Sequence, residues 1–453
     1  MEQEIKYYDV IVAGGGISGA IAAIAAARCG ADTLLVEQYG FLGGMLTAAG
    51  VGPMMTFHSN DRLVIKGITN EMIERLVAKG KSPGHIPDSS NFVKTVTPFD
   101  AEAMKQELEI MLLESGGKLL YHAMLAGVNK ENGRISTIQV CTKAGLLTLG
   151  AKVFVDATGD ADLSAMAGVD CTLGRETDGL CQPMTMKMKM RNVNIEAIKK
   201  YLRENPEEAP RLAQDFSAMD TSSRLSVAGF TKTLKKAQED GLISFEREYL
   251  LFFETNTPGE VIINTSRVLG RNSTDPWSLT LAEIEGRKQV RELERFLKER
   301  VIGFEESELV YSGPFIGVRS SRQIKGLYTL TVEDLVEYRE FEDVIAHSAY
   351  PIDIHSPTGA GTEHAGMAVR DVYGIPYRCL VNDKVDNIIT VGRSISASFE
   401  AQSSIRLTPS CGAIGHAGGV AAAIAAKDGI AAKDISIAEL HKILKDQDAY
   451  IEK

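Results

Sequence analysis

The sequence lacks a basic excess, a long apolar run and paired cysteines, and each absence removes a class of function. Over 453 residues, 49 Lys and Arg stand against 60 Asp and Glu, a net charge of −11. A sequence-independent grip on nucleic-acid phosphates needs clustered cations, so no nucleic-acid partner is expected. The nearest approach to the ~20 apolar residues that span a bilayer is "GVAAAIAA" from Gly419, and no membrane partner is expected. The opening "MEQEIKYYDVIVAGGG" runs straight into an apolar strand without the regions of a signal peptide, which makes a cytoplasmic location the expectation. Cys29, Cys141, Cys171, Cys181, Cys379 and Cys411 form no CxxC pair, so neither a zinc knuckle nor a dithiol centre is indicated and no metal site is expected. They read as reduced core residues.

The same bareness recurs locally. "GFLGGMLTAAG", Gly40 to Gly50, carries no charge, no histidine and no cysteine. Such a run offers backbone amides and no bulky side chain, which suits the edge of a flat ring. What surrounds it is richer. In "YYDVIVAGGGISGAIAAIAAARCGADTLLVEQ", a buried strand leads into Gly14, Gly16 and Gly19 as GxGxxG, then an alanine-rich helix, then a second strand ending at Glu37 and Gln38. Gly14 allows the tight turn, Gly16 lets backbone approach a pyrophosphate, and Gly19 lets the helix pack close to the sheet. Gly15, Ile17 and Ser18 complete that turn, whose free amides and helix dipole favour a negative group. Glu37, 18 residues after Gly19, is placed to accept from a ribose and would repel a 2′-phosphate. An NAD-like or FAD-like ligand is predicted, and not NADP.

Three later stretches choose between them. A helix starting at Asp100 precedes short antiparallel strands turning at Asn132, Gly133 and Gly145. A buried strand then ends in "DATGD", and near the C-terminus "NIITVGRSISASFEA" leads into the small-residue helix "TPSCGAIGHAGGVAAAIAA". With "GVRSSRQIKGLYTLTVEDL" and "YPIDIHSP", these motifs resemble the FAD-dependent oxidoreductase family, within the glutathione-reductase-like superfamily of two-dinucleotide-binding flavoproteins, over most of the chain. The resemblance implies an α/β fold, a Rossmann-like FAD-binding domain with an inserted α+β substrate domain, and FAD extended along the sheet's carboxyl edge. It puts Gly14, Gly16 and Gly19 at the pyrophosphate, Glu37 at the adenosine ribose, the Leu125 backbone at adenine, and Ala157, Thr158 and Gly159 near the diphosphate. Many relatives hold the ribityl chain with an aspartate after the glycine of the "VGR" strand. Here Arg393 follows Gly392.

The bare stretch, with Gly43, Gly44, Met45 and Thr47, is expected near the isoalloxazine. No cysteine lies between Cys29 and Cys141, which excludes the flavin-to-disulfide relay of the superfamily's disulfide reductases. In succinate dehydrogenase and fumarate reductase flavoproteins a similar run begins His-Thr and the histidine bonds the flavin. Leu46 takes that place here, so non-covalent FAD is predicted. At the last helix, Ser410, Cys411, Gly412 and Ala413 are expected to offset charge on reduced flavin, with Cys411 packed against the ring.

Residues 171–375 are expected to form the substrate domain, and 1–170 with 376–453 the FAD domain. "MTMKMKMRN" alternates as a half-buried strand whose methionines read as core, and "YLLFFETNTPGEVIINTSRV" as a hairpin turning at Pro258 and Gly259. No second GxGxxG follows a strand here, which weakens a nicotinamide-fed reading. Arg319, Arg322, His355, His364, Arg378, Arg393 and Arg406 lie in turn-rich segments, where each arginine alone is more often a loop tie to Asp or Glu. A hydride acceptor needs a partner that moves the proton. His355 is predicted as the acid/base residue, with Arg322 and Arg406 orienting an anionic or strongly polar small substrate. The expected enzyme is a dehydrogenase with an unidentified electron acceptor. A fumarate-reductase-like reduction of an activated C=C bond and a tRNA-modifying flavoprotein are the alternatives, and the oligomeric state stays open, a homo-oligomer included.

Overall fold

The computed structural model describes residues 5–363 and 371–452. Its first sheet runs, in spatial order, Lys118–Leu120, Thr33–Val36, Lys6–Ala13, Gly145–Asp156, Arg134–Thr142 and Met124–Glu131, with Ile388–Thr390 added beside the end of Gly145–Asp156. The apolar strands pair in parallel and the hairpin strands antiparallel. Parallel strands are buried on both faces, which is why "VIVA" and "VFVD" are continuous apolar runs without alternation. Register aligns Ala13 with both Val36 and Asp156, and Asp156 with Thr390. Four strands therefore end on one line, and the residues that follow them, Gly14, Glu37, Ala157 and Val391, share one edge.

Helices Ile17–Arg28 and Thr408–Asp428 cover the sheet and cross each other at backbone contact. A Cβ on Gly415 would lie 2.2 Å from Ser18 O, and one on Gly419 2.1 Å from Ala22 O. Only glycine permits that approach, and the alanines around it fill the seam. The Asp100 signal is obeyed: its side chain accepts from the amides of Glu102 and Ala103 at the start of Ala101–Glu114.

The second sheet is antiparallel, in the order Ser226–Gly229, Leu250–Glu254, Val261–Ile263, Met188–Arg191, Glu308–Ser312. Met184, Met186, Met188 and Met190 enter its core beneath helix Pro276–Arg300. The alternation that buries them sends Thr185 and Lys187 to the opposite side, and both are buried there too. This second core spans Met184 to Val318, whereas Leu330, Ile345, Tyr373 and Ile375, within the segment expected to be substrate domain, pack into the first. The second unit defined by packing therefore ends well before residue 375. No helix among the described residues is long and apolar enough to cross a membrane.

Candidate functional site

A cleft of about 470 Å³ follows the line of strand ends. Glu37, Gln38, Met124 and Leu125 line one end, Gly14, Gly16 and Ala157 to Gly159 the middle, and Gly392, Arg393, Thr408 and Cys411 the other. A Cβ on Gly14 would sit 2.5 Å from Ala157 O, and one on Gly19 1.9 Å from Gly14 O, so both glycines are fixed by packing. Gly16 faces open space, its nearest would-be contact 3.9 Å away, and as N-cap it leaves the helix amides without a side-chain partner. Those amides are free for an anion. The amide cradle and the volume fit FAD, whose diphosphate the free amides after Gly16 would hold.

Glu37 performs two tasks at once. Its Oε2 accepts from the Gly15 amide at 2.6 Å and its Oε1 from the Tyr39 amide at 2.8 Å, which fastens the glycine turn to the second strand. Each oxygen keeps a further lone pair for a ribose hydroxyl. Burial raises its pKa, against the pull of those amides.

The bare stretch folds against the glycine turn. The Gly43 amide donates to Gly15 O at 2.9 Å, and a Cβ on Gly44 would stand 2.7 Å from Gly16 Cα. Gly44, Met45 and Ala48 line the cleft. Thr47 does not: its hydroxyl donates to Leu42 O at 2.7 Å and ties the loop. Gly15, Gly19 and Gly43 likewise shape the cleft from behind its wall. On the last helix, Thr408 and Cys411 reach the cleft because they lie three residues apart on one face. Ser410 instead donates to Ser348 Oγ at 2.8 Å, Gly412 abuts Thr69, and Ala413 is absent from the lining. The Cys411 thiol is pushed up to about 12 by burial, so the helix dipole does not activate it.

Arg393, which follows Gly392 at the strand end, donates to Asp160 Oδ1 at 2.8 Å. Burial alone would raise the Asp160 pKa, but Arg393 with the Ser321 and Ser273 hydroxyls outweighs it and holds the carboxylate ionised. Arg393 also belongs to a second, inner cavity of about 160 Å³, which shares Met45, Arg406 and Thr408 with the cleft.

His355 lines that inner cavity beside Asp353 and Tyr350. His355 Nε2 lies 3.3 Å from Asp353 Oδ2, Arg406 lies 3.3 Å from the same oxygen, and the Tyr350 hydroxyl donates to it at 3.1 Å. Burial opposes charge on Asp353, yet His355, Arg406 and Arg319 together hold its pKa below the usual range. Burial first, and then Arg319, push His355 well below its ordinary value against the pull of Asp353. The stable arrangement is an ionised Asp353 accepting from a neutral imidazole. With Nε2 as the donor, Nδ1 carries the lone pair, and it has no partner among the described residues.

Arg322 is misplaced in the sequence reading. On strand Arg322–Ile324 it donates to Asp162 Oδ1 at 2.9 Å and lines neither cavity, because strand pairing with Cys171–Leu173 turns it away. Arg319 is the arginine of "GVRSSRQ" in the cavity, donating to Thr185 Oγ1 at 2.6 Å. Arg378 pairs with Asp343 elsewhere, and His364 lies outside the described residues. Asp353 and Lys187 escaped the sequence reading. The i, i+2 spacing of Asp353 and His355 in "YPIDIH" is the signal for the first, and the face opposite the methionines for the second.

A third, outer cavity of about 870 Å³ shares Arg211 and Tyr249 with the inner one. Between them stands a stack: Arg211 lies 5.0 Å from the Phe92 centroid and 6.0 Å from that of Tyr249, and Arg247 lies 4.8 Å from Tyr249 on its own account.

The family described as FAD dependent oxidoreductase matches residues 9–444. No curated protein matches the chain. Among solved structures, a geranylgeranyl bacteriochlorophyll reductase-like protein from Thermoplasma acidophilum is similar at 13% identity and TM-score 0.49, over 98% of this chain and 84% of that one. L-proline dehydrogenase from P. horikoshii is similar at 11% identity and TM-score 0.46, over 98% and 99%. The p-nitrophenol 4-monooxygenase of Pseudomonas putida is similar at 11% identity and TM-score 0.46, over 98% and 84%.

Proposed function

The chain belongs to the FAD dependent oxidoreductase family, and from that premise we propose that it is a dehydrogenase acting on a small anionic donor in the inner cavity. The observation that carries the reading is His355 Nδ1, a nitrogen without a partner among the described residues, in a cavity that adjoins the Arg393 and Thr408 end of the cleft. FAD, when bound, supplies the hydride acceptor. His355 takes the proton from the donor's hydroxyl or amine at Nδ1. Asp353, itself held by Arg406 and Tyr350, fixes the imidazole through Nε2 and stabilises the imidazolium that results. Arg319 and Arg406 orient the donor's negative group. The reverse direction, proton delivery to an activated double bond, would need His355 charged at the outset, and burial and Arg319 oppose that. Leu46 in the bare stretch and a protonated Cys411 offer the ring no nucleophile, in keeping with non-covalent FAD.

The test is anaerobic flavin reduction. NADH and NADPH should leave the flavin absorbance unchanged, and a screen of hydroxy acids and amino acids should yield a donor that bleaches it. With that donor, His355→Ala should keep FAD bound and slow bleaching by about 10²–10⁴, the usual range for one acid/base group. Unchanged rapid-reaction rates would remove His355 from the mechanism, and rapid bleaching by NADH would turn the reading toward a reductase.

A further inference from the structure

The inner cavity holds more cation than the protein neutralises. Five cations line it, Lys187, Arg211, Arg319, Arg393 and Arg406, against one carboxylate, Asp353. Arg393 has Asp160 at 2.8 Å and Arg406 has Asp353 at 3.3 Å. Among the described residues, Lys187, Arg211 and Arg319 have no carboxylate within ion-pair distance. Arg319 donates to Pro183 O and Thr185 Oγ1, and Arg211 lies over aromatic rings. Enclosed like charges without counter-ions are costly unless something supplies the missing charge. In a chain whose net charge is −11, the shortage of carboxylates at this one place is local.

We propose that the substrate of this cavity is a small dianion, a dicarboxylate or a phosphate monoester, whose two negative groups are met by Arg319, Arg406 and Lys187. The inference rests on the reading of the inner cavity as the substrate site. Size supports it: a cavity of about 160 Å³ is close to one that admits benzene, so about six to ten non-hydrogen atoms fit. Charge supports two groups over one. A monoanion leaves two of the three unmatched cations still unmatched, whereas a dianion leaves a single one. The one left over is Arg211, which is half-buried, lies over the Phe92 and Tyr249 rings and also faces the outer cavity.

The experiment uses FAD-loaded protein and inert probes, with the flavin absorbance band as the readout of binding at constant ionic strength. Malonate and succinate test the dicarboxylate arm, methyl phosphate the phosphate arm, acetate and butyrate the monoanions, and 1,4-butanediol the neutral control. At least one dianion should bind about tenfold or more tightly than the monoanions, the least that one further charge-assisted hydrogen bond confers, and whichever arm succeeds names the source. Arg319→Gln should remove most of that preference while FAD content stays full. Should that variant not fold, the ranking of dianion over monoanion in the unaltered protein decides alone. Equal affinity for monoanions and dianions would overturn the dianion and leave the dehydrogenase reading standing. If no anion perturbs the flavin, the inner cavity is not its substrate site and both fall.

Discussion

At the scale of single residues, the site is a set of charges held off their ordinary values by burial and by each other. His355 starts neutral because its pKa lies well below 6.5, burial first and Arg319 second. A base that must be unprotonated to act works above its pKa. Flavin reduction by the donor should therefore be flat from pH 8 through pH 6.5 and fall only in more acid solution, as the imidazole takes a proton. A rate that falls already near pH 6.5 in stopped-flow traces would mean that His355 is not the titrating base. Cys411 gives a second check. With its thiol near 12, iodoacetamide at pH 8 should alkylate exposed Cys141 in the folded protein and leave Cys411 unmodified until denaturant is added. Arg393 gives a third. Arg393→Met would leave the partly buried Asp160 carboxylate without its cation, a loss of about 1–3 kcal/mol. Adding Asp160→Asn should restore most of it in urea unfolding, and a double variant no better than the single one would show that the pair is not coupled. The sequence made the glycines, Glu37 and His355 legible, because each follows a strand end or a motif spacing. It concealed Asp353, Lys187 and Arg319 as site residues, because their convergence depends on how the second sheet stands against the first.

At the scale of elements, legibility follows period. The parallel strands were readable as unbroken apolar runs, and the methionine strand by its alternation. The last helix, whose residues are small on nearly every side, declares no face. Its glycines look like helix weaknesses, each worth about 1 kcal/mol against alanine. The crossing with Ile17–Arg28 reverses that judgement, since a Cβ on Gly419 meets the Ala22 carbonyl at 2.1 Å and backbone cannot step aside. Gly419→Ala should therefore gain about 1 kcal/mol of propensity and lose more to overpacking, commonly 1–3 kcal/mol and at times beyond. Because this helix and its partner both carry cleft residues, FAD should also be held more weakly. Gly429→Ala is the matched comparison. It lies past the helix end with φ +66 and nothing within 4 Å, so it should cost only about 1 kcal/mol of backbone strain. A higher melting temperature for Gly419→Ala than for the unaltered holoenzyme would show that the two helices can separate freely.

For the whole molecule, the same burial that prepares the site makes the fold sensitive to acid. His416, buried on the last long helix with its Nε2 2.6 Å from Gln447 Oε1, has its pKa lowered from 6.5 to about 4 by burial. His85, which bridges Asn70 and Thr97, is lowered to about 4 for the same reason, and His355 is lowered as well. A histidine depressed in the folded state binds its proton more readily when unfolded. Stability is therefore lost as pH falls through 6.5, and the loss is complete below the folded value. For His416 the displacement corresponds to about 3 kcal/mol. Two carboxyl groups work the other way: burial raises Glu37, and burial with the neighbouring Asp160 and Asp156 raises Asp162 to about 6, both of which favour the folded state as pH drops. Asp162 is 40% exposed at its side chain, so solvent screens much of its effect, and three histidines outweigh the two. The urea midpoint of the holoenzyme, followed by circular dichroism, should fall steadily from pH 7 to pH 4.5. His416→Gln, which can keep a hydrogen bond to Gln447, should make that fall shallower. A midpoint that holds level or rises toward pH 4.5 would mean that protons enter these sites without opening the fold, and the neutral His355 on which the proposed chemistry depends would lose its physical basis.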